Sequence, residues 1–435
     1  MNSNPIKVLV TSINGYGHFN AALGVASLLA NRGNDVYFAN LLKYKDEVQK
    51  YGVKFIALED YNDAYNKEME QKNETKAVEV LVKSMEPKST SPLGDEENSI
   101  AGMSIILAEL QLLDSTLQKI IDSIKPDILI GDVCFPTPLF YQSPIPRIIL
   151  FSPNPSALYY ETTGFPTSLG LSVHVDRSSW PCYHKKVLKM KEACKEYFKW
   201  LSLFGIETNF FHTSDKFLGI YMCPKALDYV ELGSPPPNWI RIDSSIRTRA
   251  AKEFIVPPFR TNQSGKLVYL SMGTSGSLNI ALMKRLINTF SKSKHCFIVS
   301  KGFKGDELTL SENMWGDNYV DQIAILPKVD AVITHGGNNS FIETFYFGKP
   351  MIVMPCCFDQ LDNAQRIEDL KLGYRVDPLG YDEDEIHKIV DDLLENTEIR
   401  SKMEEISKQL KTSNNREEVA RLIENIAVTK KYPFQ

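Results

Sequence analysis

The stretch AVITHGGNNSFIETFYFGKPMIVMP sets a histidine, two glycines and three small polar residues at the mouth of a helix. AVIT (331–334) reads as a strand and His335-Gly336-Gly337 as the turn after it. Asn338-Asn339-Ser340 starts a helix that stops at Gly348-Lys349-Pro350. Backbone N–H groups at a helix N-terminus carry partial positive charge, so the pattern fits a phosphate site. It fits a purely local role equally well, because Ser340-x-x-Glu343 is a capping-box pattern. A second candidate is His18, in INGYGHFN directly after the first strand. A histidine at the carboxyl end of a strand can act as a general base, and it also suits a helix start or packing. The third is Asp132, directly after DILIG, where a carboxylate can orient a base or cap the next helix. Asp127 opens the same strand and lies at the wrong end of it.

These residues need a scaffold that gathers strand ends. Short β-branched runs alternate with longer helical patterns: IKVLVTS (6–12), DVYFAN (35–40), VKFIAL (53–58), DILIG (127–131), RIILFS (147–152) and FLGIYM (217–222). Continuous apolar runs of this kind suit a parallel sheet covered on both faces. AALGVASLLANRG is one of the intervening helices, with Gly33 as its stop. Segment 60–100 is charged and Asn-rich and reads as a long insertion. Segment 231–265 is rich in Pro, Gly and Ser and reads as an interdomain linker. The alternation then restarts with LVYLSMG (267–273), helix 278–290, CFIVS (296–300), AVIT, helix 340–347, MIVMP (351–355) and helix 360–371, before a charged helical tail over 383–430. The expected architecture is α/β, with two doubly wound Rossmann-like domains facing across a cleft. Ligands in such sheets bind beyond the carboxyl ends of the strands, which makes the shared cleft the expected active site.

Bulk properties exclude several classes. The 435 residues suffice for two or three domains, each with its own core. A net charge of −5 and no basic stripe interleaved with aromatics argue against a nucleic-acid partner. The seven cysteines (Cys134, Cys182, Cys194, Cys223, Cys296, Cys356, Cys357) form no CxxC pair and no zinc spacing, and read as buried thiols of a reducing compartment. The apolar run near the N-terminus is too short for a signal-peptide core, and no run of about 18 apolar residues suggests a membrane span. The expectation is a soluble cytoplasmic protein. No G-x-G-x-x-G follows a strand, which disfavours a nicotinamide dehydrogenase.

Taken together, YVDQIAIL (319–326), the HGGNNS stretch and CCFDQLDNA (356–364) resemble the donor-binding signature of the UDP-glycosyltransferases, enzymes of the GT-B fold. The signature falls on Tyr319, Gln322, Leu326, Thr334-His335-Gly336-Gly337, Asn339-Ser340, Glu343, Gly348, Pro350, Asp359-Gln360 and Asn363-Ala364. It departs from the family where Tyr319 replaces a Trp that stacks on uracil, where Asp321 replaces a Pro, and where Asn338 replaces the Trp found in plants. Trp315 is a rival stacking residue at the wrong spacing from Gln322.

The resemblance implies residues 1–235 as an acceptor-binding domain, 236–264 as the linker, 265–415 as the donor domain, and 416–435 as a helix returning to the first domain. It implies that His335, Gly337, Asn338, Asn339 and Ser340 meet the diphosphate, with Thr274 of SMGTSGS beside them. Glu343 would accept from the ribose hydroxyls, Asp359 and Gln360 would bind the sugar, and Gln322 would meet the uracil edge through its backbone. Gly17-His18 matches the family segment that carries the catalytic base, and Asp132 its orienting carboxylate. The implied reaction is inverting transfer from a UDP-sugar, glucose first, to a hydroxyl of a small lipophilic or phenolic acceptor, in the manner of xenobiotic detoxification. No metal or other cofactor is expected, and no Asp-x-Asp motif lies near the donor residues. His174, His184, His212, His295 and His387 have no ligand spacing. Phe135, Tyr159, Tyr160, Phe165 and Tyr183 are the candidate acceptor contacts. The sequon Asn338-Asn339-Ser340 would put a glycan into the donor site in an oxidising lumen, which also favours the cytoplasm. Two other classes compete: a catalytically silent UDP-sugar-binding protein, which should lack His18 or Asp132, and a UDP-sugar epimerase, which needs further carboxylates near the sugar.

Overall fold

Two all-parallel sheets organise the chain in the computed structural model, which describes residues 5–65, 96–132, 135–208, 216–247, 254–255 and 265–434. The first contains β1 (Lys7–Ser12), β2 (Asp35–Asn40), β3 (Lys54–Ala57), β4 (Ile128–Asp132), β5 (Arg147–Phe151), β6 (Leu218–Met222) and β7 (Trp239–Ile242), in the order β3-β2-β1-β4-β5-β6-β7. The second contains β8 (Leu267–Ser271), β9 (Cys296–Ser300), β10 (Met314–Asp317), β11 (Ala331–Thr334), β12 (Met351–Val353) and β13 (Gly373–Arg375), in the order β10-β9-β8-β11-β12-β13. Central strands such as β4 and β6 are buried along their whole length, which is why their sequences are continuous apolar runs.

In both sheets the strand order reverses beside the first strand, between β1 and β4 and between β8 and β11. Loops leaving a reversal point diverge to opposite faces and open a crevice at the strand ends. His18 and Asp132 belong to the first crevice, and Thr274 and His335 to the second. The register pairs Ser12 with Asp132 and Thr334 with Ser271, so the residues that follow emerge side by side.

Helix Tyr16–Asn31 follows β1 and buries its centre from Ala21 to Leu29 against the sheet. It ends at Gly33, whose φ of +89° supplies the left-handed turn that glycine accepts readily. A Cβ on Gly24 would meet the Ser245 carbonyl oxygen at 1.7 Å, so the segment leaving β7 lies directly on this helix.

Three elements differ from the sequence expectation. The segment 236–264 contains β7, because Trp239 and Ile242 bury themselves in the first sheet and draw the chain out of a linker path. β10 and β13, of 4 and 3 residues, carry too little apolar pattern to be recognised. Most of segment 60–100 lies outside the described residues, and helix Glu96–Ile124 begins within its end. Residues 248–253 and 256–264 of the expected linker also lie outside them, as do Cys134 and His212.

Helix Asn415–Thr429 packs against helix Tyr16–Asn31 and β7. Arg32 there takes Glu417 and Glu424 as partners, and the Tyr432 hydroxyl donates to the Arg147 carbonyl oxygen at 3.2 Å. No described helix is long and apolar enough to cross a membrane.

Candidate active site

His18 sits in the first turn of helix Tyr16–Asn31, half-buried, at the mouth of the first crevice. Its Nδ1 lies 2.8 Å from Oδ1 of Asp132, which is fully buried at the end of β4. Pairing of β1 with β4 sets Asp132 level with Ser12, and the turn after β1 brings the helix start that carries His18 over it. The Ser152 hydroxyl, just beyond β5, lies 3.0 Å from the same Nδ1. With Nδ1–H donated to Asp132, the imidazole holds the tautomer whose Nε2 can take a proton. Asp132 Oδ2 is buried without a hydrogen-bond partner, so its charge is balanced on one side only.

The helix that opens at HGGNNS spans Asn338–Tyr346, with Gly337 as N-cap and no side chain capping it. The Ser340/Glu343 capping box does not form. The Ser340 hydroxyl donates to Gln322 Oε1 at 3.3 Å, and Glu343 is held by Gln322 and Arg247. The first-turn N–H groups therefore keep no side-chain acceptor, the state in which a helix end takes an anion. His335 is 8% exposed, and its imidazole fills the space beside two glycines. A Cβ on Gly273 would meet its Cε1 at 2.2 Å, and a Cβ on Gly337 its Nε2 at 2.4 Å. The glycines thus make room for a histidine ring. Burial lowers His335 to about 4, so it is neutral near pH 7. Thr274 follows Gly273 and is exposed at the same rim.

The two crevices meet. Asn339 Nδ2 donates to the Gly17 carbonyl oxygen at 2.6 Å, which puts the helix opening one residue from His18. Asp359, in the first turn of helix Asp359–Asp369, accepts from the Asn154 N–H at 3.1 Å. Burial pushes its carboxyl up to about 6, while the Asn154 N–H and His18 pull the other way. Glu109, on helix Glu96–Ile124, accepts from the Asn14 N–H at the exit of β1, and burial raises it too. Carboxylates therefore flank His18 from both domains.

Not every expected donor contact faces the cleft. Asn338 is buried and donates to the carbonyl oxygens of Ser152, Pro153 and Met222, at 2.8, 3.3 and 3.2 Å, so its amide ties the domains together. Gln360 is 6% exposed, and its Oε1 accepts from the backbone N–H groups of Cys356 and Cys357 at 2.9 and 3.3 Å. It braces the preceding loop, and Asp359 alone of the pair stands at the cleft. Tyr319 is 66% exposed and offers a ring face, whereas Trp315 packs on Phe254 at 5.5 Å. Asp321, where the family has Pro, caps helix Gln322–Ile325. Among the acceptor candidates, Phe135 and Tyr160 pack on a small apolar cluster with Phe151, Ile106 and Ala157, and Phe135, Phe151 and Ile106 also pack against the main core. Tyr159 and Phe165 are core residues at 0% and 1% exposure, packed with Trp180 and Tyr229. Tyr183 lies half-buried on helix Trp180–Ala193.

Arg247 was hidden in the expected linker. Its guanidinium is buried, reaches Asn20 Oδ1, and lies 3.4 Å from Glu343 Oε1. Burial raises the Glu343 carboxyl and Arg247 lowers it again. Only the close approach at Gly24 brings Arg247 there, and one sequence carries no sign of it. Among the described residues, no group of three or more His, Cys, Asp or Glu could hold a metal ion.

Comparison with known proteins bears on the family and the fold. Residues 297–426 match the family described as erythromycin biosynthesis protein CIII-like, C-terminal domain. An uncharacterized UDP-glucosyltransferase of Bacillus subtilis, YdhE, is 30% identical over 172 residues, covering 39% of this chain and 44% of that one. The NDP-glycosyltransferase YjiC of the same organism is 22% identical across 96% of both chains. The crystal structure of the kitacinnamycin glycosyltransferase superposes with a TM-score of 0.70 at 18% identity, over 98% of this chain and 99% of that one.

Proposed function

Because the chain belongs to the UDP-glycosyltransferase family and has its GT-B fold, we propose that it transfers glucose from UDP-glucose to a hydroxyl of a small lipophilic acceptor, with inversion at the anomeric carbon. The observation that carries this reading is the His18–Asp132 pair at 2.8 Å, facing an uncapped helix N-terminus one residue away. The acceptor hydroxyl lies between His18 and the anomeric carbon. His18 Nε2 takes its proton, and Asp132 stabilises the imidazolium. The new bond forms on the face opposite UDP, which leaves with the electron pair of the broken bond. We assign the leaving diphosphate to the first-turn N–H groups of helix Asn338–Tyr346, with His335, Asn339, Ser340 and Thr274, and no metal ion to the site. Asp359 accepts from the sugar hydroxyls, Glu343 from the ribose, and Tyr319 stacks on the uracil. The apolar cluster of Phe135, Phe151 and Tyr160, whose Phe151 directly precedes Ser152, suits a lipophilic acceptor. The description of the similar Bacillus subtilis protein YdhE as a UDP-glucosyltransferase supports glucose.

The test is His18→Ala. Transfer should fall at least about 10²-fold with UDP affinity nearly unchanged, because a base acts only in the transition state. Loss of UDP binding together with activity would make His18 a structural residue.

A further inference from the structure

Asp362 is 3% exposed, on the donor-domain helix Asp359–Asp369, and every partner it takes belongs to the other domain. Its Oδ2 accepts from the Ser156 hydroxyl at 2.6 Å, the Thr167 hydroxyl at 3.0 Å and the Ser168 N–H at 2.7 Å. Its Oδ1 accepts from the N–H groups of Leu169 at 3.2 Å and Gly170 at 2.9 Å. Five donors close on one carboxylate, all from the chain that leaves β5. That same chain carries Ser152, 3.0 Å from His18 Nδ1, and Asn154, whose N–H reaches Asp359 at 3.1 Å and whose Nδ2 reaches Asn363 at 2.7 Å. One loop thus touches the base at its start, the sugar-side carboxylate two residues later, and the Asp362 carboxylate over the remainder.

We propose that Asp362 is a positioning residue: by clamping segment 152–170 to the donor domain it sets the spacing between the base His18 and the sugar-side Asp359. This rests on the roles proposed above for those two residues. A carboxylate suits the task because both oxygens accept and neither donates. An amide cannot satisfy these five donors, since its nitrogen turns two hydrogens toward hydroxyl and N–H groups that also donate. Displacing the loop by about 1 Å would misalign acceptor, base and anomeric carbon, an error worth about 10²-fold in rate, while the diphosphate contacts within the donor domain stay intact.

Asp362→Asn and the milder Thr167→Val are the variants, measured in the full chain. For Asp362→Asn we expect transfer kcat to fall by about 10- to 100-fold. UDP affinity should hold within about twofold, and hydrolysis of UDP-glucose by water should fall much less than transfer, because water needs no aligned acceptor. Thr167→Val should move the hydrolysis-to-transfer ratio in the same direction by a smaller factor, and it stands in if Asp362→Asn does not fold. Unchanged transfer, or transfer, hydrolysis and UDP binding falling together, would overturn the proposal. If the wild type transfers no sugar at all, the enzymatic reading fails by itself. The clamp is then read by hydrogen exchange at Ser168, Leu169 and Gly170, which should accelerate at least about tenfold in either variant. Unchanged exchange there would overturn it.

Discussion

Asn339 and Gly17 join the two halves of the cleft: the amide of one, at the start of helix Asn338–Tyr346, donates at 2.6 Å to the carbonyl oxygen of the other, next to His18. Two crevices built separately, each at the reversal of its own sheet, become one site through contacts of this kind. Their chemistry divides accordingly. In the proposed reaction the first domain moves a proton, and the second holds charge.

Asp132 should matter to rate and not to nucleotide binding. Asp132→Asn keeps size and burial but lets the side chain donate to Nδ1, which favours the wrong imidazole tautomer. We expect kcat to fall at least about 10²-fold, with UDP affinity by calorimetry within about twofold of wild type. A comparable loss in affinity would show that Asp132 holds the crevice open and does not orient the base.

His335 should mark the acid limb of stability. Its folded value, lowered to about 4 by burial, lies below the ordinary histidine value, so the unfolded chain binds the proton more tightly. Stability then rises with pH between about 4 and 6.5 and is lost as pH falls through that window. From pH 7.5 to 5 the single group contributes about 2 kcal/mol. His335→Gln stays neutral and should lose about that much less than wild type in urea unfolding over the same range. Equal losses in the two proteins would contradict the burial of a neutral imidazole.

Asp359 makes a pH prediction for the donor. Its carboxyl, raised to about 6, must be ionised to accept from sugar hydroxyls. The donor KM should be flat above that pH and rise below it, approaching about tenfold per unit. Asp359→Asn should show a high KM with no such dependence. A wild-type KM flat down to pH 5 would remove Asp359 from the sugar contacts.

The Arg247–Glu343 pair is buried on both sides at 3.4 Å. Removing one partner from such a pair leaves an uncompensated charge and costs about 3–5 kcal/mol. Arg247→Met should therefore destabilise by about that amount and weaken UDP binding, and Arg247→Met with Glu343→Gln should regain most of the stability. A double variant no more stable than Arg247→Met would mean the two side chains are not coupled.

How far the sequence alone carried this depended on whether a feature leaves a local trace. The long strands were legible because a strand buried on both faces must be apolar throughout, as Ile128–Asp132 is. His18 and Asp132 were candidates because each follows a strand end, and the family resemblance paired them; the structure brings them to 2.8 Å. β7, β10 and β13 were missed because 3 or 4 residues carry little pattern, and β7 also follows a run of prolines. The partners of Asn338 and Gln360, the reach of Arg247 and the five donors on Asp362 arise only where segments far apart in the chain close on each other. Ser340-x-x-Glu343 shows the same limit from the other side, since a sound local pattern yields to Gln322 and Arg247.

The central claim is inverting sugar transfer with His18 as base. Its most direct measurement is the anomeric configuration of the product formed from UDP-glucose and a lipophilic phenol, read by proton NMR after mass detection. The account predicts a β-glucoside from the α-linked donor, formed by wild type and nearly absent with His18→Ala. An α-glucoside, or an epimerised UDP-sugar with no glycosylated phenol, would contradict it.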